Sequence, residues 1–328
     1  MIAFWAAALA LTILLYVLLD GFDLGVGMLF GIAPSETARR HMMQAIAPVW
    51  DGNETWLVLA ATILFGAFPL VYALLLSAFY LPLLLMLAAL ILRGVAFEFR
   101  AKSRRLRRVW DAGFVGGSAC AAFVQGTTVG ALVQELPIRD GQYAGGAFAW
   151  LSPFSLLCGV GLCLGYALLG AAWLCSKTED DVRDLGFRMM PRLLIGVLFF
   201  LAAAFLYALA MNLQVLHRWT ERPELLILPL IGALASAGLF HAGRRRIDAL
   251  PFPLTAVIFA SAFATLAGSF LPYMVPFTIT LTEAAAPEAS LSFMFWGAGV
   301  VVLPITLIYT FVVYRIFKGK IRLDGGTE

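Results

Sequence analysis

The sequence predicts an all-α integral membrane protein of nine transmembrane helices, with the N-terminus outside and the C-terminus in the cytoplasm. Three observations predict it. Of the 328 residues, 62 % are hydrophobic and only 13 % charged, against roughly 45–50 % and about 25 % in soluble domains. Mean hydropathy is +0.90. The charges that remain are gathered between long stretches free of Asp, Glu, Lys and Arg. A helix needs ~20 mostly apolar residues to cross a hydrocarbon core ~30 Å thick.

Taken in order, the uncharged stretches place spans at 2–30, 52–70, 73–98, 112–134, 153–176, 192–214, 224–243, 252–273 and 290–316. Met1–Leu19 lacks a basic leading region and a small-residue cleavage site, which predicts an uncleaved first helix. Thr55–Leu92 is long enough for two spans, divided near "GAFPL", where Pro69 supplies no backbone N–H. Ala112–Gln134 holds one. Gly141–Ser176 opens with the loop-like "GQYAGGAFAWLSP", so its span starts after Pro153. Leu193–His217, Leu225–Gly243, Ala249–Thr282 and Ala289–Tyr314 hold one each, with Pro272 and Pro276 marking the end of the eighth.

Orientation follows from the 23 Lys and Arg. All but Arg139, Arg218 and Arg222 fall after the first, third, fifth, seventh and ninth spans, the cytoplasmic side by the positive-inside rule. An odd number of spans preserves that alternation. The net charge of +3 is then a cytoplasmic collar rather than a sign of nucleic-acid binding. Connecting segments are short, so the chemistry lies in or against the bilayer.

"WDGNETWL", Trp50 to Leu57, puts Asp51 and Glu54 where the second span starts. Asp20 and Asp23 lie in the last third of the first span, and Arg93, Glu98 and Arg100 close the third. Four acids and two arginines from three helices are therefore expected at one depth near the cytoplasmic edge. Asp51 and Glu54 could cap a helix and Arg93 could simply pair with an acid. Capping, however, does not require acids on three helices to converge. A carboxyl poised between burial and an arginine can take up and release protons, which makes Asp51 the leading candidate. "GFDLGVG" offers Gly21, Gly25 and Gly27 as a small face for close helix approach. Gln125, Thr127 and Thr128 read as interhelical hydrogen bonding, and Trp56 as part of an interfacial aromatic belt.

Cys120, Cys158, Cys163 and Cys175 lack metal-ligand spacing, and His41 lies in the first cytoplasmic segment, His217 at an outer span end and His241 at an inner one. No metal site and no haem ligand pair is expected within the spans. An ion-coupled secondary transporter is the alternative class, although such proteins carry midplane sites between repeated halves, and here the mid-span regions are nearly featureless.

"DGFDLGVG", "IAPVWDGNETWL" and "RGVAFEFR", in this order and spacing, resemble subunit II of the cytochrome bd quinol oxidases, including the cyanide-insensitive branch. "SFMFW" and "VLPITLIYTFVVYRIFKG" extend the likeness toward the C-terminus. The resemblance implies a respiratory complex of the bacterial cytoplasmic (inner) membrane that oxidises quinol and reduces dioxygen to water. It implies two haem b and one haem d in subunit I, none bound by this chain alone, and a possible small single-helix accessory subunit. The expected arrangement is two four-helix-bundle-like halves plus one peripheral helix. It also implies a proton path at the subunit interface through Asp51, with Asp23, Asp20 and Glu54 as further members. Trp56 would border an oxygen route, while Arg93, Glu98 and Arg100 would serve ion pairing.

Overall fold

The computed structural model describes residues 1–103, 105–211 and 213–321. Arg104 and Arg322, counted above in the basic segments, lie outside the described residues. Among the described residues eight segments are long and apolar enough to cross a membrane: Ile2–Ile32, Pro69–Lys102, Arg107–Val133, Pro153–Lys177, Asp180–Ala210, Pro223–Arg245, Pro251–Phe270 and Glu288–Ile316.

The helices are α1 (Ile2–Leu29), α2 (Glu36–Ile46), α3 (Trp50–Ala67), α4 (Pro69–Lys102), α5 (Arg107–Val133), α6 (Pro153–Lys177) and α7 (Asp180–Ala210). They continue with α8 (Gln214–Glu221), α9 (Ile227–Arg245), α10 (Pro251–Phe270), α11 (Leu281–Ala284), α12 (Glu288–Met294) and α13 (Val302–Ile316). A π-helical turn over Phe295–Gly299 leads from α12 toward α13. Two short antiparallel hairpins, Ile138–Arg139 with Gln142–Tyr143 and Tyr273–Val275 with Ile279–Thr280, close the loops at the end opposite the basic segments.

The expected second span is α3, an 18-residue helix whose first turns carry the polar "WDGNE"; it is not among the eight. Phe68 leaves the helical region at φ −136°, ψ 57°, and Pro69 opens α4 at the place where the sequence put the break. Inside α4, Pro82 cannot donate to the preceding turn. Phe79 departs to φ −121°, ψ 20°, and the helix kinks there. The sixth span begins at Asp180 rather than 192, because α7 continues through Pro191 as a polar extension. Among the described residues α2, α8 and the four-residue α11 are additions to the nine expected spans. In α2, Ser35 caps the N-terminus by accepting from Ala38 N–H. Ala38, Met42, Ala45 and Ile46 of α2 turn inward at helical spacing.

α1 is the central helix, packed by α3, α5, α6 and α10. Gly25 and Gly170 bring α1 and α6 so close that a Cβ at Gly25 would overlap the Tyr166 carbonyl. Gly21 lies under the Tyr166 ring and Gly27 against Ser118 of α5, so the small face does the close packing the sequence suggested. Phe22 stacks on Trp173 of α6 with ring centroids 4.1 Å apart, and Phe252 of α10 meets both rings edge-on. The basic segments meet at one end. Arg39 reaches Asp111, Arg183 reaches Asp248, and Ile321 N–H donates to the Lys177 carbonyl.

Candidate functional site

Two ionic clusters form, and of the acids in the first three predicted spans Asp20, Asp23 and Glu54 join the first. The first is buried among α1, α3 and α4. Asp20 and Asp23, one turn apart on α1, are both fully buried at 0 % exposure. Arg93 of α4, 2 % exposed, donates from Nη1 to Asp20 Oδ1 at 2.8 Å. Its Nη2 lies 3.7 Å from Glu54 Oε2 of α3, and its guanidinium 5.9 Å from the Trp50 ring. Asn53 Nδ2 donates to Asp23 Oδ2 at 2.7 Å and to the Leu19 carbonyl at 3.3 Å. Tyr314 of α13 donates to Asn53 Oδ1 at 3.0 Å. Asp20 Oδ2 and Asp23 Oδ1 stay buried without a hydrogen-bond partner among the described residues.

Local sequence explains the geometry. In "WDGNETWL", Asn53 and Trp56 sit three apart and face inward, so Asp51 falls on the outer surface and Glu54 between the two. Arg93 is buried because Gly117 of α5 lets the α4 backbone approach. Removing one partner of a buried pair leaves an uncompensated charge, which costs about 3–5 kcal/mol. The cluster is therefore tightly specified although its acids outnumber its single base.

The second cluster lies two turns further along α4, around the buried Arg100. Arg100 donates from Nη2 to Glu36 Oε2 at 2.9 Å, and its Nε donates to Asp111. Arg39 stands 3.6 Å from Asp111 and Arg107 3.5 Å from Glu36. Partial burial works to raise the Glu36 pKa, but the hydrogen bonds from Arg100 and the charges of Arg107 and Arg40 outweigh it and hold the carboxyl below its ordinary value.

Four expectations are corrected. Arg100 joins this second cluster and not the acids around Arg93, because seven residues along a helix is a displacement of ~10 Å. Glu98 is exposed on α4 and has no ion-pair partner among the described residues, since it projects from the face opposite Arg93 and Arg100. Asp51 is exposed and makes no hydrogen bond to Asp20 or Asp23 among the described residues. Trp56 is fully buried at 0 %, its Nε1 unpartnered among the described residues, so it is a core residue and not part of an interfacial belt.

Asn53, Tyr314, Glu36 and Asp111 were not foreseen as participants. Asn53 is the hub between Asp23 and Tyr314; its place in the quoted motif, three residues before an apolar Trp, was the available signal. Glu36 and Asp111 come from segments read only as collar. Deeper in the bundle, Gln125 Nε2 donates to Tyr16 Oη at 2.7 Å and Tyr166 Oη donates to Gln125 Oε1 at 2.9 Å, which bears out the interhelical reading for Gln125. Thr127 and Thr128 instead bond back to the Val124 carbonyl of their own helix.

Two cavities of about 230 and about 200 Å³ are described, and neither is lined by a histidine or cysteine. His41, His217 and His241 sit on separate helices, α2, α8 and α9. Among the described residues no group of three or more His, Cys, Asp or Glu could hold a metal ion.

Residues 1–317 match the family model described as cytochrome bd terminal oxidase subunit II. The chain is 34 % identical to the probable cytochrome oxidase subunit 2 of Haemophilus influenzae, over 93 % of this chain and 90 % of the relative. It is 30 % identical to the cytochrome bd-I ubiquinol oxidase subunit 2 of Escherichia coli, over 98 % and 95 %. It is also 30 % identical to the cytochrome bd ubiquinol oxidase subunit 2 of Bacillus subtilis, over 97 % and 96 %. The fold matches a chain from the structure of bd oxidase from Geobacillus thermodenitrificans with a TM-score of 0.76 at 9 % identity, covering 96 % of this chain and 98 % of that one.

Proposed function

The chain belongs to the cytochrome bd terminal oxidase subunit II family, and on that premise we propose that its buried acids form the cytoplasmic proton-uptake path of the oxidase at the interface with subunit I. It is a multi-pass inner-membrane subunit of an oxidoreductase complex. In this reading α3 is the second of nine spans, the N-terminus is outside, and the helices form two four-helix-bundle-like halves plus one peripheral helix. Quinol oxidation and dioxygen reduction proceed at two haem b and one haem d held by subunit I. A small single-helix subunit can accompany the pair.

The observation that carries the reading is the imbalance of the buried cluster: Asp20, Asp23 and Glu54 surround Arg93 alone. Asp51, exposed on α3, meets the cytoplasmic edge and the partner. Glu54, with 32 % of its side chain exposed, bridges that surface to Arg93. Asn53 fixes one oxygen of Asp23 and Arg93 fixes one of Asp20, so the remaining oxygens, Asp23 Oδ1 and Asp20 Oδ2, are the atoms that hold a proton in transit. Drawing protons from the cytoplasm while quinol releases its own outside builds a membrane potential without a pump.

The test is quinol-driven oxygen uptake by the purified complex carrying Asp51→Asn or Asp23→Asn, with haem absorption recorded on the same sample. Uptake reduced by roughly a hundredfold with haem retained supports the path. Undiminished uptake in both variants removes it.

A further inference from the structure

We propose that the cavity at the basic end, between α6, α13 and the segment after α13, binds the phosphate of an anionic phospholipid headgroup. The proposal does not depend on the proton-path reading. The cavity, about 230 Å³, is lined by Lys177, Lys318 and Lys320 together with Trp173, Tyr314 and Phe317, and no Asp or Glu is among its lining residues. At about 30 Å³ per water, it has room for a headgroup phosphate with its hydration.

The three ammonium groups retain donors for that phosphate. Each carries three N–H. Lys177 Nζ donates once, to the Phe317 carbonyl at 2.6 Å, and stands 5.0 Å from the Trp173 ring. Lys320 Nζ donates to Asp248 Oδ2 at 2.6 Å, while Arg183 Nε meets Asp248 Oδ1 at 2.7 Å. The Asp248 carboxylate that Lys320 meets is thus shared by two cations, and the lining keeps a positive surplus. Lys318 is exposed and has no ion pair among the described residues.

Position selects a lipid over a free anion. α6 ends at Lys177 and α13 at Ile316, so the lysines stand just beyond the apolar lengths of two spanning segments. α13 buries no residue and exposes Ile305, Ile308, Phe311 and Ile316 along its length. An acyl chain against that face brings its phosphate to the lysines, the geometry of a basic interhelical pocket that takes anionic lipid. The occupant would also bear on Tyr314, whose phenol holds Asn53. Lipid would then clamp the end of α13 against α6, where Ile321 N–H already donates to the Lys177 carbonyl at 2.8 Å.

The experiment compares phosphatidylglycerol, phosphatidylcholine and inorganic phosphate added to the detergent-purified complex, read by denaturation midpoint and by native mass spectrometry of retained lipid. Phosphatidylglycerol raises the midpoint and is retained; the other two do neither. Lys318→Gln weakens apparent phosphatidylglycerol affinity by about fivefold, and Lys177→Gln with Lys318→Gln by correspondingly more, while Lys318→Arg restores it. Lys177→Gln also removes a strap to Phe317, so the single Lys318→Gln variant gives the independent reading. Equal stabilisation by both lipids overturns the proposal, as does stabilisation by inorganic phosphate alone or an unchanged affinity in Lys318→Gln.

Discussion

Replacing Arg93 by Met tests the account of the buried cluster most directly. Arg93 and Asp20 are 2 % and 0 % exposed, and their 2.8 Å bond replaces solvent for both. Methionine keeps the unbranched apolar stem and removes the guanidinium with its charge. Asp20, Asp23 and Glu54 are then left with no cation, so the cost is that of an unpaired buried charge, about 3–5 kcal/mol. At about 2 °C per kcal/mol for a long chain, the denaturation midpoint of the complex falls by about 6–10 °C at a fixed scan rate. Asp20→Asn alone strands the guanidinium and lowers it comparably. The double variant removes both charges and recovers at least half of the summed loss, a coupling that a double-mutant cycle measures. An unshifted midpoint in Arg93→Met, or losses that simply add in the double variant, would refute the reasoning.

Gly25→Val places a branched side chain into the Tyr166 carbonyl and the Gly170 backbone; overpacking costs about 1–3 kcal/mol or more, and the complex assembles in reduced yield by size-exclusion chromatography. Trp56→Phe keeps the core filled and removes an indole N–H that has no partner among the described residues, so it costs under about 1.5 kcal/mol, whereas Trp56→Ala costs about 3–5 kcal/mol in the same midpoint assay. Tyr314→Phe leaves Asn53 Oδ1 without its donor and costs about 1–3 kcal/mol, with spectra of the haem complex unchanged. Glu36 has a depressed pKa in the folded chain, so its contribution to stability is fully present above its unfolded value and is lost as pH falls through the folded one. Acid titration of the midpoint is accordingly flatter below about pH 4.3 in Glu36→Gln than in wild type.

The helices were legible because the bilayer imposes one length scale and excludes charge, so gaps between charged residues read directly as elements. α7 escaped that logic at its start: Asp180 to Arg192 is too polar to be counted as span, yet nothing stops a helix from continuing past the membrane. α2 escaped it because its inward face, Ala38, Met42, Ala45 and Ile46, is periodic rather than continuously apolar. At the site, the convergence of Asp20, Glu54 and Arg93 followed from depth alone. Facing did not. Glu98 and Arg100 are two residues apart at similar depth and point to opposite sides, and only the rotation of the kinked α4 decides which one is buried. Tyr314 lies 261 residues from Asn53, a pairing that no local pattern announces.

The two ionic clusters are unbalanced in opposite senses, and that contrast narrows the proton-bearing candidates. Around Arg100, the carboxyls of Glu36 and Asp111 face Arg39, Arg40, Arg100 and Arg107, a surplus of bases. In that company, despite its partial burial, the hydrogen bonds from Arg100 and the charges of Arg107 and Arg40 hold the Glu36 carboxyl below its ordinary pKa. Around Arg93 the surplus is of acids, with two carboxyl oxygens left free of hydrogen bonds among the described residues. The collar therefore fastens α2 to α4 and α5, while the inner cluster has the spare acceptor atoms. Neutralising Asp111 should cost stability and leave the pH profile of oxygen uptake in place; neutralising Asp23 should move that profile, and a profile shifted equally by both would show that the clusters do not divide the work in this way.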